Sequence, residues 1–287
     1  MANSTLNLPY FDLILKQLDK GDPLFEQAFG RHVHWGYWAD PAQALYTAQD
    51  YGEAAEQLSV EIYSVAKVQN HQSILDVGCG VGGTLASLNE HFANVSLYGL
   101  NIDERQLERA RRSVIAQAEN TIEFKQGDAC ALPFADESMD VVLAVECIFH
   151  FGDRQRFFQE VLRVLKPGGR LAISDFAPLE FDGLPAFLWQ SPPILPSFYG
   201  EFDATFTLSK YRNMSEQVGF ELMQERDITH NTLPTYGYFQ RLPFVLDISV
   251  DLLPAIAQTL LLEGVSRLGL LRYMILSWQK PPIMPVV

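Results

Sequence analysis

Ile74-Leu75-Asp76-Val77-Gly78-Cys79-Gly80-Val81-Gly82-Gly83 decides the fold, because a short apolar run meets an acid and then a glycine-dense turn that opens a helix. Glycine lacks a Cβ and adopts positive φ freely. Such a turn therefore lets main-chain N–H groups and the following helix N-terminus face a ligand closely, and a nucleoside is the expected ligand. The glycines do not choose among nucleosides by themselves, since Gly78, Gly80 and Gly83 also satisfy the dinucleotide spacing G-x-G-x-x-G. Asp76 discriminates: a carboxylate two residues before the first glycine attracts a cationic ligand and is poorly placed beside a pyrophosphate.

Outward from this turn the pattern alternates. Strands are predicted at 74–78, 95–100, 122–126, 139–145 and 170–175, with helices at 83–91, 103–118 and 153–165 between them, which is the signature of a parallel sheet covered on both faces. Asp103 followed three residues later by Gln106 reads as a capping box, and Lys166-Pro167-Gly168-Gly169 as a turn into the next strand. Upstream, residues 10–65 read as helical around an aromatic segment, Arg31-His32-Val33-His34-Trp35-Gly36-Tyr37-Trp38. Downstream of Asp175 the periodicity is lost through Pro178, Pro185, Pro192, Pro193 and Pro196, interleaved with Phe181, Phe187, Leu188, Trp189, Phe198 and Tyr199, an apolar insertion. A helix at 209–218, a strand at 220–226, a second apolar stretch at 229–268 and a last strand at 272–279 complete the chain. The expected organisation is a helical N-terminal lid (1–70), a ligand-binding core (71–176), and cap insertions with the final strands of the same sheet (177–287).

Composition narrows the function. Thirty-five acidic against twenty-one basic residues give a formal charge of −14 in 287 residues, which repels phosphate backbones and leaves no electrostatic footprint for nucleic acid. The first residues lack a basic n-region and a long apolar h-region, and no charge-free run reaches membrane-span length, so a cytoplasmic protein without a membrane span is expected. Cys79, Cys130 and Cys147 form no C-x-x-C pair, which argues against a disulfide framework or a zinc site, and Cys147 at the end of an apolar strand reads as inert packing. His32 and His34 stand two apart with no evident carboxylate partner; aromatic packing is the default there, and no metal is expected.

Four segments in order, Asp76–Gly80, Gly127-Asp128-Ala129, Leu165-Lys166-Pro167-Gly168-Gly169 and Leu171-Ala172-Ile173-Ser174-Asp175-Phe176, resemble the motif series of class I S-adenosylmethionine-dependent methyltransferases, over roughly residues 70–180. The resemblance implies an α/β, doubly wound, Rossmann-like seven-stranded sheet with the last strand antiparallel, and S-adenosyl-L-methionine as cofactor, leaving S-adenosyl-L-homocysteine. Ligands in such sheets sit beyond the carboxyl ends of the strands. Gly78-Cys79-Gly80 would then pass under the methionine part, with Asp76 and the Val145 carbonyl near its ammonium. Most relatives carry an acid on the ribose at the end of the second strand; here Asn101 stands instead, an amide with one acceptor and a donor pair. Ile102 would pack on adenine, Gln106 reach the amino acid carboxylate or complete the helix cap, and Asp128 accept from the adenine amino group, with the Ala129 N–H at a ring nitrogen, or cap a helix. The His32–Trp38 segment resembles a His-x-His-x-Gly-Tyr/Phe signature that precedes the first motif in the same relatives and closes over the methyl donor, which assigns Tyr37, with Trp35, to the donor site.

Methyl transfer from a sulfonium already has an excellent leaving group, so the protein aligns the acceptor, excludes water and, where needed, removes a proton. His150 and Asp175, both at strand ends, are the candidates: an imidazole to take the proton and a carboxylate to orient it, as in sugar and macrolide O-methylating enzymes that resemble this chain. The reading is an O-methyltransferase acting on a hydroxyl of a bulky, largely apolar natural product such as a polyketide, a peptide-polyketide or a glycoside. A C-methyltransferase of the quinone or tocopherol type, and a cofactor-binding relative that performs a cyclisation without methyl transfer, share the same cofactor motifs. A nicotinamide dehydrogenase is opposed by Asp76 and Asn101.

Overall fold

The computed structural model describes residues 8–180, 206–245 and 253–282, with the backbone alone at 243–245 and 253–254. The proline- and aromatic-rich segment 181–205 lies outside the described residues. Helices α1 (Pro9–Asp19) and α2 (Pro23–Phe29) both begin on proline, whose fixed φ and missing N–H suit a first turn, and Asp22 caps α2 by accepting from the Leu24 and Phe25 N–H groups. The aromatic segment runs irregularly from there to α3 (Ala48–Val65). Next come β1 (Ser73–Val77), α4 (Gly83–His91), β2 (Ser96–Asn101), α5 (Glu104–Ser113), β3 (Thr121–Gln126), β4 (Met139–Val145), α6 (Arg154–Val164) and β5 (Leu165–Pro178). The chain ends with α7 (Leu208–Val218), β6 (Glu221–Asp227), α8 (Thr229–Thr232), α9 (Pro234–Val245), α10 (Leu253–Arg267) and β7 (Leu271–Gln279).

Two elements differ in length from the sequence expectation. The expected 103–118 helix ends at Ser113, because side chains capture the backbone beyond it: Asn89 Nδ2 donates to the Ile115 carbonyl (2.8 Å) and Asn89 Oδ1 accepts the Gln117 N–H (2.9 Å). Strand β5 is 14 residues long, more than twice the expected 170–175, because β7 lines it antiparallel: Gly168 N–H donates to Lys280 O, Lys280 N–H to Gly169 O, and Leu179 N–H to Leu270 O, all at 2.8–2.9 Å.

The seven strands form one sheet in the order β3-β2-β1-β4-β5-β7-β6. Its parallel ladders fix which residues meet at the carboxyl edge: Asp76 lies between Gly99 of β2 and Leu143 of β4, Asn101 is paired with Gln126, and Val145 with Ser174. Residues following β1, β2, β3, β4 and β5 are thereby gathered on one edge. The strand order reverses around β1 and β4, the switch point of a doubly wound sheet.

The chain divides into two compact units. One comprises residues 58–175, 208–226 and 275–287 and holds most of the sheet with α4–α7. Its core includes Leu75, Val77, Val142 and Leu143 of the strands and Phe157, Phe158 and Val161 of α6, with Phe158 set edge-on to Trp278 of β7 at 5.0 Å. The other comprises residues 1–57, 176–207 and 227–274. Its core is aromatic: Tyr51 stacks on Tyr238 at 4.5 Å, and Trp35 meets Tyr236 edge-on at 4.3 Å. The segment 34–38 is sewn into that unit by its backbone, with Gly36 N–H on Thr235 Oγ1, Tyr37 N–H on Ala54 O, Trp38 N–H on Asn231 O, and Tyr51 OH on His34 O. No described helix is long and apolar enough to cross a membrane.

Candidate active site

The turn after β1 is built as its glycines require. Gly78 and Gly80 have φ of +73° and +56°, and the Gly78 and Cys79 N–H groups both donate to Leu100 O, at 2.7 and 3.1 Å, which ties the turn to the end of β2. A Cβ on Gly78 would stand 2.7 Å from both Cβ and Sγ of Cys147, so only glycine fits there. The Cys147 thiol itself donates to Val77 O at 3.1 Å. Burial, followed by the charges of Asp76 and Asp175, pushes it well above the ordinary thiol range, the opposite of an activated nucleophile.

Asp76 is 1% exposed, and its Oδ1 meets no hydrogen-bond donor among the described residues. Burial lifts its carboxyl to about 8. An acid buried with an open acceptor at the foot of a glycine turn is suited to a cationic ligand.

At the end of β2, Asn101 is buried and works within the protein: Oδ1 accepts the Asp103 N–H (3.1 Å) and Nδ2 donates to Gln106 Oε1 (3.0 Å). The expected capping box is thus modified. Asp103 caps α5 through the Arg105 N–H (2.9 Å), but its own N–H is satisfied from Asn101 upstream, while the Gln106 oxygen faces Asn101. Ile102, next to Asn101, leaves 40% of its surface exposed, an apolar face at the sheet edge. Asp128 follows β3 and no helix begins after it. Its Oδ1 accepts the Cys130 N–H (2.8 Å) and its carbonyl the Ala131 N–H (3.0 Å), closing a turn around Ala129.

Beyond β4, Glu146 takes φ +49°, a rarely populated conformation for a side-chain-bearing residue, with its N–H held by Ser174 Oγ at 3.0 Å. That bend carries the chain from Val145 into the 3₁₀ turn Ile148–His150, where His150 lies half-buried against Phe149, ring centroids 4.4 Å apart. Asp175, fully buried near the end of β5, is engaged by residues that sequence reasoning missed. Arg154, first residue of α6, donates from Nη1 to Asp175 Oδ2 and to Tyr211 OH, each 2.9 Å, and the Tyr211 hydroxyl donates to the same Oδ2. A lone arginine just inside a predicted helix and a tyrosine 57 residues later carry no sequence signal of their pairing.

Residues 75–173 match the methyltransferase domain family. The chain is 32% identical over 253 residues to Methyltransferase GfsG of Streptomyces halstedii, covering 87% of this chain and 84% of that one. The chain belongs to the class I S-adenosylmethionine-dependent methyltransferases. A second relative of this methyltransferase is the 27-O-demethylrifamycin SV methyltransferase of Amycolatopsis mediterranei (strain S699), 31% identical over 225 residues, with 77% and 78% of the two chains covered. In fold it is similar to a solved structure described as a putative sarcosine dimethylglycine methyltransferase from Galdieria sulphuraria, TM-score 0.73 at 22% identity over 92% and 99% of the chains.

The cofactor of this methyltransferase is therefore S-adenosylmethionine, and the residues at the sheet edge fit it. Asp76 offers a buried open acceptor to a cationic group, the positive-φ turn brings bare backbone within reach, and Ile102 offers an apolar face for a purine. Tyr37 lies in the other unit, buried, its N–H on Ala54 O. In that unit His34 Nδ1 faces Trp35 O (2.9 Å) and Nε2 faces His32 Nδ1 (3.1 Å), while His32 Nε2 and Arg31 Nε share Glu56 Oε2 at 2.7 Å. The carboxylate partner absent from the local sequence is thus Glu56, and the geometry is that of hydrogen bonds. No metal-holding group of three or more ligands occurs among the described residues.

Proposed function

We propose that this methyltransferase transfers the methyl group to a hydroxyl oxygen of a bulky, largely apolar natural product, with His150 as the general base. The observation that carries the reading is the position of His150, delivered by the Glu146 bend to the carboxyl edge that also bears the glycine turn and Asp76. The rifamycin-modifying relative, whose name specifies an oxygen acceptor on a macrocyclic product, supports the choice of oxygen.

S-adenosylmethionine supplies, when bound, a methyl group on a sulfonium whose departure leaves a neutral thioether. The chain's own work is to hold and to deprotonate. Gly78-Cys79-Gly80 admits the methionine part, Asp76 and the Val145 carbonyl face its amino group, and Gln106 reaches its carboxylate. Asn101 holds the ribose through the amide valences left over from Asp103 and Gln106. Ile102 covers the adenine, with Asp128 and the Ala129 N–H at its polar edge. As the acceptor oxygen bonds to the methyl carbon and the carbon–sulfur bond breaks, the hydroxyl proton passes to the His150 imidazole. Asp175 acts from inside its pairing with Arg154 and Tyr211, fixing the β5 end and the start of α6 on either side of the site.

The test is transfer of isotopically labelled methyl to a panel of hydroxylated polyketide and glycoside scaffolds, comparing His150→Gln with the parent. The expected result is label on oxygen and a kcat lower by about 10²–10⁴ with affinity for S-adenosylhomocysteine nearly unchanged. Label on carbon, or a variant as fast as the parent, would remove the assignment.

A further inference from the structure

The Asp76 carboxyl sits near the end of β1 with Gly99 of β2 and Leu143 of β4 beside it in the ladder, so neither flanking residue offers it a charge. The titratable groups near it are the thiols of Cys79 and Cys147, both pushed upward by burial first and by the Asp76 charge second, with Glu146 and Asp175 further along the same edge around Cys147; the cation acting on Cys79 is Arg111 of α5, itself paired with Glu104. Asp175 is already matched by Arg154. The N–H groups of Gly78 and Cys79, the nearest candidates to solvate a carboxylate, are spent on Leu100 O. Asp76 is thus an acid with an open oxygen, no water contact to speak of, thiols for neighbours and more negative charge close by.

We propose that Asp76 is protonated in the ligand-free protein and loses its proton when the ammonium end of the cofactor arrives, so that cofactor binding releases one proton. This deepens the binding assignment above and rests on it. The balance is simple: the O–H bond of Asp76 is given up to solvent, and the carboxylate is compensated by the ammonium brought in by the ligand. An opposite charge within about 4–6 Å lowers a carboxyl pKa by about 1–3, and hydrogen bonds from the ammonium to the carboxylate lower it further. The carboxyl lifted to about 8 before binding is consistent with this starting state. Affinity should then rise with pH below that value, by close to tenfold per pH unit, until the ligand's own amino group begins to lose its proton.

The test is calorimetry of S-adenosylhomocysteine binding at pH 6.5 in two buffers of widely different ionisation enthalpy. Release of about 0.9 proton per bound ligand is expected for the parent protein. 5′-Methylthioadenosine, which keeps the nucleoside thioether and lacks the amino acid end, should bind with almost no proton release. Asp76→Asn, near-isosteric and neutral, should bind S-adenosylhomocysteine more weakly with release close to zero while holding methylthioadenosine as the parent does. Tight binding of S-adenosylhomocysteine by the parent without proton release, or equal release from Asp76→Asn, overturns the proposal and leaves the site in place. Absence of any heat with S-adenosylhomocysteine overturns the site assignment itself.

Discussion

Breaking the contact between Arg154 and Asp175 should be among the most damaging single changes that leave the cofactor site untouched. The side chains are 4% and 0% exposed, and both share Tyr211, itself 1% exposed, so no water replaces a lost partner. Arg154→Met strands a buried carboxylate and Asp175→Asn a buried guanidinium, and each should cost about 3–5 kcal/mol. Tyr211→Phe keeps both charges and removes one hydroxyl, which should cost about 1.5–3 kcal/mol, the range of a hydrogen bond to a charged group. Because the first two changes destroy the same interaction, the Arg154→Met/Asp175→Asn double variant should be less damaged than the sum by about 2 kcal/mol or more. Urea unfolding at pH 7 measures all four, and in thermal unfolding Arg154→Met and Asp175→Asn should melt roughly 6–20 °C below the parent and Tyr211→Phe roughly 3–12 °C below it. A loss under about 1 kcal/mol for Asp175→Asn, or strict additivity, would refute the reasoning. The same variants address catalysis. If Asp175 acts by fixing β5 and α6, Tyr211→Phe and Asp175→Asn lower kcat without moving the midpoint of the acid limb of the pH–rate profile. A shift of that limb in Asp175→Asn alone would mean that the carboxylate acts directly on the imidazole of His150.

Two further outcomes follow from local geometry. Gly78→Ala combines a left-handed φ with a Cβ at 2.7 Å from Cys147 and should cost about 2–5 kcal/mol, whereas Gly80→Ala has a left-handed φ but meets only Gln106 Oε1, at 3.7 Å, and should cost about 1–2 kcal/mol; equal losses in urea unfolding would contradict the contact. His34 is held near 3 by burial and by neighbouring His32, so the unfolded chain, with its histidine near 6.5, binds more protons between these values; stability is retained above pH 6.5 and falls as pH drops, by up to about 2 kcal/mol at pH 5. His34→Gln should lose that part of the pH dependence, and an unchanged slope between pH 5 and 8 would count against it.

The sheet was legible because most strands had a local signal: apolar runs short enough for buried strands, bounded by glycine, asparagine or aspartate, alternating with amphipathic helices except between β3 and β4. Where boundaries moved, long-range partners moved them. Nothing local announces that Asn89 will draw 115–117 out of α5, or that β7, a hundred residues away, will extend β5 through Lys166-Pro167-Gly168-Gly169. The site divides in the same way. Asp76, Gly78, Gly80, Asn101 and Asp128 could be placed at the sheet edge from sequence because each stands at or just beyond the carboxyl end of a strand. Arg154, Tyr211, Glu56 and the bend at Glu146 could not, since their significance lies in contacts across 21 to 57 residues or in a φ value that no residue type at that position forecasts.

The substitution at Asn101 shows how position and chemistry separate. In most class I relatives the residue at this place is an acid, and an acid here would add one more carboxyl group to an edge that already carries those of Asp76, Glu146, Asp175 and Asp128. An amide avoids that addition and is given structural work, one arm on the Asp103 N–H and the other on Gln106 Oε1, both on the segment that opens α5. In the proposed arrangement the remaining acceptor lone pair and amide hydrogen would offer a ribose one donor and one acceptor in place of a bidentate carboxylate. Under the proposed cofactor contacts, a ribose held by an amide in place of a carboxylate would leave the cationic amino acid end, met by Asp76, as the main polar anchor of the cofactor, and the ionisation of one buried aspartate would then govern binding across the neutral pH range.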